Sequence, residues 1–394
     1  MRYSILLLAI IGIACAGGNR TGSVTVAAAA DDLQTQSPTT AVQSFTAVEG
    51  PDLMARLEAA QSRARNQQTP YWSAYSFDVR PGVAVDPNIR EFNGNMQTMG
   101  DTTVFIGTNA AGVTVETRNL AIFLLRDPSS NQITRMEVFN LERKREYSGY
   151  PVYWLGRANN EESLNYLRAI AAATPLDNLS ERAVLSIALH DDSRVGGMLK
   201  SFIGSSPNQR IRSTSVYWLG QVGGEQVFLA SLVRNDSEDK KIRRSAAHAI
   251  GQSRDRGTIA TLKDLYENVK DVEVRRSVIS AVGNSIDEQP AFSFLLGIAK
   301  NDADWESRRT AVRQLGRFQR DDAADELMKI YTNDANIEVK RAALRSIAET
   351  KNPRAQVRLL EIARTDTNPE LRKAAIRVMS ERGESAVDDL LKLF

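Results

Sequence analysis

From residue 208 onward the chain repeats one arrangement of polar and apolar positions. NQRIRSTSVYWLG (208–220) is followed by DKKIRRSAAHAIG (239–251), DVEVRRSVISAVG (271–283), DWESRRTAVRQLG (304–316), NIEVKRAALRSIA (336–348) and NPELRKAAIRVMS (368–380). The copies recur at a step of roughly 32 residues, the signature of a stacked-repeat fold. Within a copy, apolar residues fall at helical spacing, as in Val274, Val278, Ile279 and Val282. Each copy begins with Asp or Asn, side chains that accept from the free N–H groups of a first helical turn. Glu273, Glu306, Glu338 and Glu370 then place negative charge where the helix dipole favours it. Gly220, Gly251, Gly283 and Gly316 stand where a left-handed residue would end the helix. A second, more variable apolar-periodic segment separates successive copies, so the unit is a helix pair.

Upstream the period changes. Residues 51–66 carry Leu53, Met54, Leu57, Ala60 and Ala64 on one side of a single predicted helix. Between 71 and 141 the apolar residues alternate with polar ones, and short turn-forming links separate the runs. This predicts a small antiparallel meander of about four strands. The pentapeptide VYWLG at 152–156 repeats 216–220 letter for letter. Because the two lie two repeat lengths apart, with LSERAVLSIAL (179–189) at the intermediate step, the array is predicted to start near Tyr147. It is predicted to end in a capping helix at 384–394. The expected organisation is a signal peptide (1–16), a disordered tether (17–50), a helix with a small β-rich domain (51–143) and a solenoid of about seven to eight repeats (144–394).

The pattern D-x-x-V-R-R-x-A-x-x-x-L-G, fullest at 271–283, resembles the second helix of HEAT-like repeats, in particular the short kind of phycobilisome-lyase-type proteins. The ankyrin T-P-L-H element and the tetratricopeptide pattern are absent. The resemblance covers roughly the last 240 residues. It implies a mainly α fold, a right-handed α-solenoid of HEAT-like helix pairs preceded by the antiparallel β-rich domain. A solenoid hosts many functions, so function has to be read from the residues themselves.

Composition narrows that reading. The 394 residues are 42% hydrophobic and 25% charged with a net charge of +2, so no large overall field draws the chain to nucleic acid or membrane. A positive charge at Arg2, an apolar run over 5–13 and Ala14-Cys15-Ala16 read as a secretory signal. Cys15 is the sole cysteine, placed where bacterial lipoproteins carry their lipidated residue, although Gly12 stands where leucine is usual. The alternative is simple cleavage after Ala16. Residues 17–48 lack the apolar periodicity needed to bury a face.

Sequence offers little chemistry. His190 and His248 are the only histidines. No zinc-ligand spacing, nucleophile elbow or phosphate-binding loop occurs, and no cofactor is implied. His190-Asp191-Asp192 could hold a metal, but a helix end followed by a cap is the commoner fate of such a cluster. Arg212, Arg243, Arg275, Arg308, Lys340 and Arg372 share one repeat position, and Arg244, Arg276, Arg309, Arg341 and Lys373 the next. They form either a groove for acidic ligands or an ion-pair ladder with the heading Asp239, Asp271 and Asp304. The aromatic group Trp154, Tyr217, Trp218 and Trp305 supplies candidate partner anchors, with Trp154 expected under the β domain and Trp218 partly exposed. The reading is a non-enzymatic, exported scaffold in the periplasm or cell envelope, held to the membrane through Cys15 and binding protein partners. An enzyme or enzyme accessory like the phycobilin lyases is one alternative. A nucleic-acid binder using the arginine columns is the other. Both act inside the cell, which disfavours them for an exported chain.

Overall fold

The structure, a computed structural model, describes residues 45–381 apart from 88–90, 174–176, 321, 351 and 353. Cys15, the expected signal peptide and most of the expected tether lie outside the described residues, as does the capping helix expected at 384–394.

The described residues open with a short strand β1 (Thr46–Ala47) and helix α1 (Leu53–Ala64), capped by Asp52, whose side chain accepts from the Ala55 N–H at 2.8 Å. Leu53, Leu57, Ala60 and Ala64 face the core, whereas Met54 points outward and is 53% exposed. Strands β2 (Tyr71–Ser76), β6 (Leu120–Arg126), β7 (Ile133–Asn140) and β8 (Val152–Arg157) join β1 in one sheet of order β1-β8-β2-β6-β7. β3 (Ala84–Val85), β4 (Phe92–Met99) and β5 (Thr102–Asn109) form a second, antiparallel sheet of order β3-β5-β4. The first sheet is mixed, since β8 runs parallel to both β1 and β2. This corrects the purely antiparallel meander: a segment that returns after a long excursion enters between two strands whose direction it shares. It also corrects the end of the tether, because Phe45 is buried and β1 is hydrogen-bonded to β8.

β8 contains the first VYWLG. The expectation that the array starts near Tyr147 is therefore wrong, and the domain boundary moves past Arg157. The same five letters are strand at 152–156 and helix at 216–220 because their neighbours differ. Pro151 holds Tyr150 extended (ψ 149°) and Gly156 sits at φ 73°, so no helix can pass. In the second copy the letters fall in a helix that Asn208 has already started.

Fourteen helices then form seven antiparallel pairs among the described residues. The outer members are α2 (Asn160–Ala173), α4 (Arg194–Ser205), α6 (Gln226–Arg234), α8 (Thr258–Asn268), α10 (Glu288–Asn301), α12 (Ala323–Asn333) and α14 (Arg354–Thr365). Their partners are α3 (Asp177–Ala188), α5 (Gln209–Val222), α7 (Lys240–Gln252), α9 (Val272–Val282), α11 (Trp305–Leu315), α13 (Ile337–Glu349) and α15 (Pro369–Ser380). The partner row stacks side by side more closely than the outer row, so it forms the inner side of the solenoid. The repeated motif is this inner helix, and its hairpin mate precedes it in sequence.

The glycines serve that stacking. Gly220 and Gly251 lie within their helices, and Gly283 and Gly316 keep right-handed backbone, so none is the left-handed terminator expected. A Cβ at Gly220 would stand 2.7 Å from the Ala249 carbonyl oxygen, one at Gly251 would collide with the Ala281 carbonyl, and one at Gly316 would stand 2.6 Å from the Ser346 Cβ. Glycine is needed because neighbouring inner helices touch backbone to backbone.

The sheet and solenoid share one core. Tyr71 and Tyr75 on β2 and Leu120, Ile122 and Leu124 on β6 face the helices, while Trp72, Phe123, Phe139, Tyr147 and Trp154 gather on the opposite face. The Trp72 indole N–H donates to the Tyr147 carbonyl at 3.0 Å across the second cluster. The β region also covers the C-terminal ends of inner helices. Arg80 donates to the Val222 carbonyl at 3.0 Å, and Asn95 to the Gln252 carbonyl at 3.0 Å, which satisfies acceptors that a helix end leaves free.

Candidate functional site

The six inner helices from α5 to α15 start on their predicted caps. Asp239 accepts from the Lys241 and Ile242 N–H groups at 2.9 and 3.3 Å, Asp271 from Glu273 and Val274 at 2.9 and 3.1 Å, and Asp304 from Glu306 and Ser307 at 3.3 and 3.0 Å. The backbone bonds to Asp271 hold its carboxyl below the usual range, with Lys240 adding to the effect.

The first cation column closes the previous helix. The Arg212 Nε donates to the Ile203 carbonyl at 2.6 Å, the Arg243 Nε to Val233 at 3.0 Å, and the Arg308 Nη1 to Asp302 at 2.9 Å. Lys340 and Arg372 reach the Thr332 and Asp366 carbonyls at 3.4 and 2.8 Å. A cation at these carbonyls complements the negative end of the preceding helix. Arg275 instead lies over the Tyr266 ring at 5.8 Å. The carboxylate partners are in the connecting loops: Glu238 for Arg212, Asp236 for Arg243 and Asp334 for Arg308, each at 2.7 Å. The expected ladder from Asp239, Asp271 and Asp304 to Arg243, Arg275 and Arg308 is thus corrected, because the heading carboxylates are occupied by their own helices. Of the cations in the motif, Lys240 bridges to Asp271 at 3.2 Å.

The second column points away from these loops, across the inner row. Arg244 donates to Ser277 Oγ at 3.1 Å, Arg276 pairs with Glu306, and Arg309 lies over the Trp305 ring at 5.1 Å. Arg341 bonds Glu338 at 2.7 Å and Glu370 at 3.3 Å, and Lys373 bonds Glu370 at 3.1 Å. Four residues later stand Arg313, Arg345 and Arg377, one helical turn on and on the same face. Sequence reading passed over this third column, although its i+4 spacing from the second was the available signal. Arg309, Arg313, Arg341 and Arg345 line a shallow groove of about 570 Å³ over α11, α13 and α15. A second groove of about 380 Å³ over α7, α9 and α11 shares Arg309 and Arg313 with it and contains His248. Burial lowers the His248 pKa, and the Arg244 charge lowers it further.

The aromatic candidates divide. Trp218 is 1% exposed, so it is a core residue and not the partly exposed anchor expected. It falls on the buried side of α5 because Val216 and Leu219 flank it on the core-facing stripe. Tyr217, half-buried beside it with ring centroids 5.0 Å apart, has its hydroxyl pKa pushed up to about 12 by burial. Trp154 is buried inside the sheet region itself, stacked on Phe45 at 5.9 Å, and shares no solenoid face with Trp218. Trp305 is half-buried at the start of α11, beside the groove.

His190 is also internal. Its Nδ1 lies 2.7 Å from the Ser186 carbonyl, which can only accept, so Nδ1 carries the proton and Nε2 accepts from the Ser163 hydroxyl at 2.8 Å. The Tyr75 hydroxyl lies 3.2 Å from the same Ser163 oxygen, and Phe77 stacks on the imidazole at 4.3 Å. Desolvation drives the His190 pKa down to about 4 against the opposing effects of the Ser186 carbonyl and Asp192. Asp192 is engaged by Arg194 at 2.8 Å. Among the described residues no group of three or more His, Cys, Asp or Glu side chains is placed to hold a metal. No described helix is long and apolar enough to cross a membrane.

No curated protein matches the chain. Among solved structures, human deoxyhypusine hydroxylase in complex with glycerol is 16% identical, covering 58% of this chain and 87% of its own at a TM-score of 0.30. The complex of CpcE and CpcF of phycocyanin lyase from Nostoc sp. PCC7120 is 15% identical, covering 60% of this chain and 94% of its own at a TM-score of 0.31. Residues 227–316 and 292–380 match the family model of HEAT repeats, a stretch that runs from α6 to α15.

Proposed function

We propose that this protein is an exported scaffold, tethered to a membrane through Cys15, that binds protein partners along its HEAT-repeat surface. The observation that carries the binding role is the inner face of α7 to α15. It is a row of long polar side chains fixed on a buried frame, beyond the helix ends covered by the β region. HEAT repeats are in general protein-interaction scaffolds, and stacked repeats present an extended surface suited to a large partner. Export and tethering rest on the apolar run before Cys15. A binding role is favoured over catalysis because the Ser163–His190 pair, a nucleophile beside a base, is enclosed in the core with Ser163 wholly buried.

The test is photo-crosslinking in cells from Ala342, in the groove, and from Val357, 66% exposed on α14, with the membrane fraction compared for wild type and Cys15→Ser. One discrete protein crosslinked from Ala342, and release of Cys15→Ser from the membrane, are expected. Absence of any crosslinked protein would refute the scaffold, and a soluble, unlipidated wild type would refute the tether.

A further inference from the structure

We infer that the groove across α7–α15 takes an extended acidic polypeptide segment of the partner, a deepening that rests on the protein-binding reading above. The second and third columns place Arg244, Arg276, Arg309, Arg341 and Lys373, then Arg313, Arg345 and Arg377, on one face. Glu273, Glu306, Glu338 and Glu370 are interleaved with them and Glu381 pairs with Arg377 at 3.2 Å, so eight cations face five carboxylates although the whole chain is nearly neutral. Arg313 and Arg345 are exposed and, among the described residues, make no ion pair or hydrogen bond. They sit on adjacent helices, and they line the same groove.

Geometry selects the occupant. Inner helices pack roughly 10 Å apart, and an extended chain advances about 3.3 Å per residue. A peptide lying across the row therefore reaches a new helix about every third residue, meeting one of these cations on α7 and on α9 and a pair on each of α11, α13 and α15. The five helices from α7 to α15 span roughly 40 Å on that spacing, the length of about 12 extended residues. Ser280, Thr310 and Gln314 lie between the cations, where a peptide backbone needs polar partners. A nucleic acid fits less well. Its strand carries a phosphate about every 3.4 Å without change of sign, and the interleaved glutamates would stand against it.

The probe is a fluorescein-labelled peptide of about 12 residues with Glu at every third position and Ser or Gly between, a length set by the spacings above. It is titrated with the full chain by fluorescence anisotropy, beside its Lys-for-Glu counterpart and a duplex DNA. Saturable binding of the acidic peptide alone is expected. Arg313→Glu with Arg345→Glu should weaken it roughly tenfold, as loss of steering and contact charges does. The matched outer-row change, Lys329→Glu with Arg358→Glu, should leave it unaltered. All four sites are exposed, and equal thermal unfolding of the variants shows that folding is intact. No binding of the acidic peptide, equal weakening by both double variants, or tighter binding of the duplex would overturn the inference. A partner crosslinked from Ala342 together with a peptide that does not bind would sink this groove assignment and leave the scaffold standing.

Discussion

His190 makes the fold acid-sensitive in a defined window. In the unfolded chain its imidazole titrates near 6.5, whereas in the core it stays neutral until about pH 4. Between those values the unfolded state binds the extra proton, so stability falls as pH falls, beginning near 6.5 and complete near 4. At about 1.4 kcal/mol per pH unit, the interval is worth about 3 kcal/mol. That is a large part of a domain's usual margin of about 5–15 kcal/mol. The cause is burial: protonation would put a charge between Phe77, Tyr75 and Ser163, with Asp192 the acidic group that offsets part of the cost. The assay is urea unfolding from pH 7.5 to 4.5 for wild type, His190→Gln and His248→Gln. His248 is the only other histidine and shifts in the same direction, so its variant removes the competing contribution. Wild type should lose most of the roughly 3 kcal/mol, and His190→Gln, less stable at pH 7.5, should show a much flatter profile. An undiminished slope in His190→Gln would refute the reasoning.

Three further outcomes follow from packing and caps. Gly251→Ala should destabilise by about 1–3 kcal/mol despite alanine's better helix propensity, because the new methyl meets the Ala281 carbonyl, whereas Gly297→Ala, with open space around it, should stabilise by about 0.5–1 kcal/mol in the same urea series. Asp271→Ala should cost about 1 kcal/mol at neutral pH, and the difference from wild type should shrink below pH 4 as the depressed carboxyl protonates; an unchanged midpoint at pH 7 would count against the cap. Trp218→Ala should cost about 3–5 kcal/mol, but Trp218→Phe much less, because the buried indole N–H has no acceptor among the described residues; intrinsic fluorescence of Trp218 should accordingly be blue and resistant to quenchers.

The inner helices were legible from sequence because their caps and apolar stripes are local: Asn208, Asp239, Asp271, Asp304, Asn336 and Asn368 start helices where the pattern puts them. What failed depends on distant neighbours. VYWLG has no fixed conformation of its own, and the parallel edge offered by β2, far away in sequence, decides the first copy. The glycines were found but misassigned, since a close approach between helices leaves the same letter as a left-handed cap. For the groove, the second cation column could be read as surface, while the division of labour between the columns could not. Arg243 and Arg244 are adjacent letters, and only the fold shows that one grips a carbonyl behind it and the other faces across the row.

The glycine contacts also bear on how the array responds to load. Where backbones touch at Gly220, Gly251 and Gly316, the inner spacing has little room to shorten, like the bound spine of a book. The outer helices are less closely packed against one another. Bending that closes the outer edge should therefore be softer than compression of the spine. A partner lying along the spine would meet attachment points at a nearly constant pitch, while the array accommodates strain by fanning on the far side.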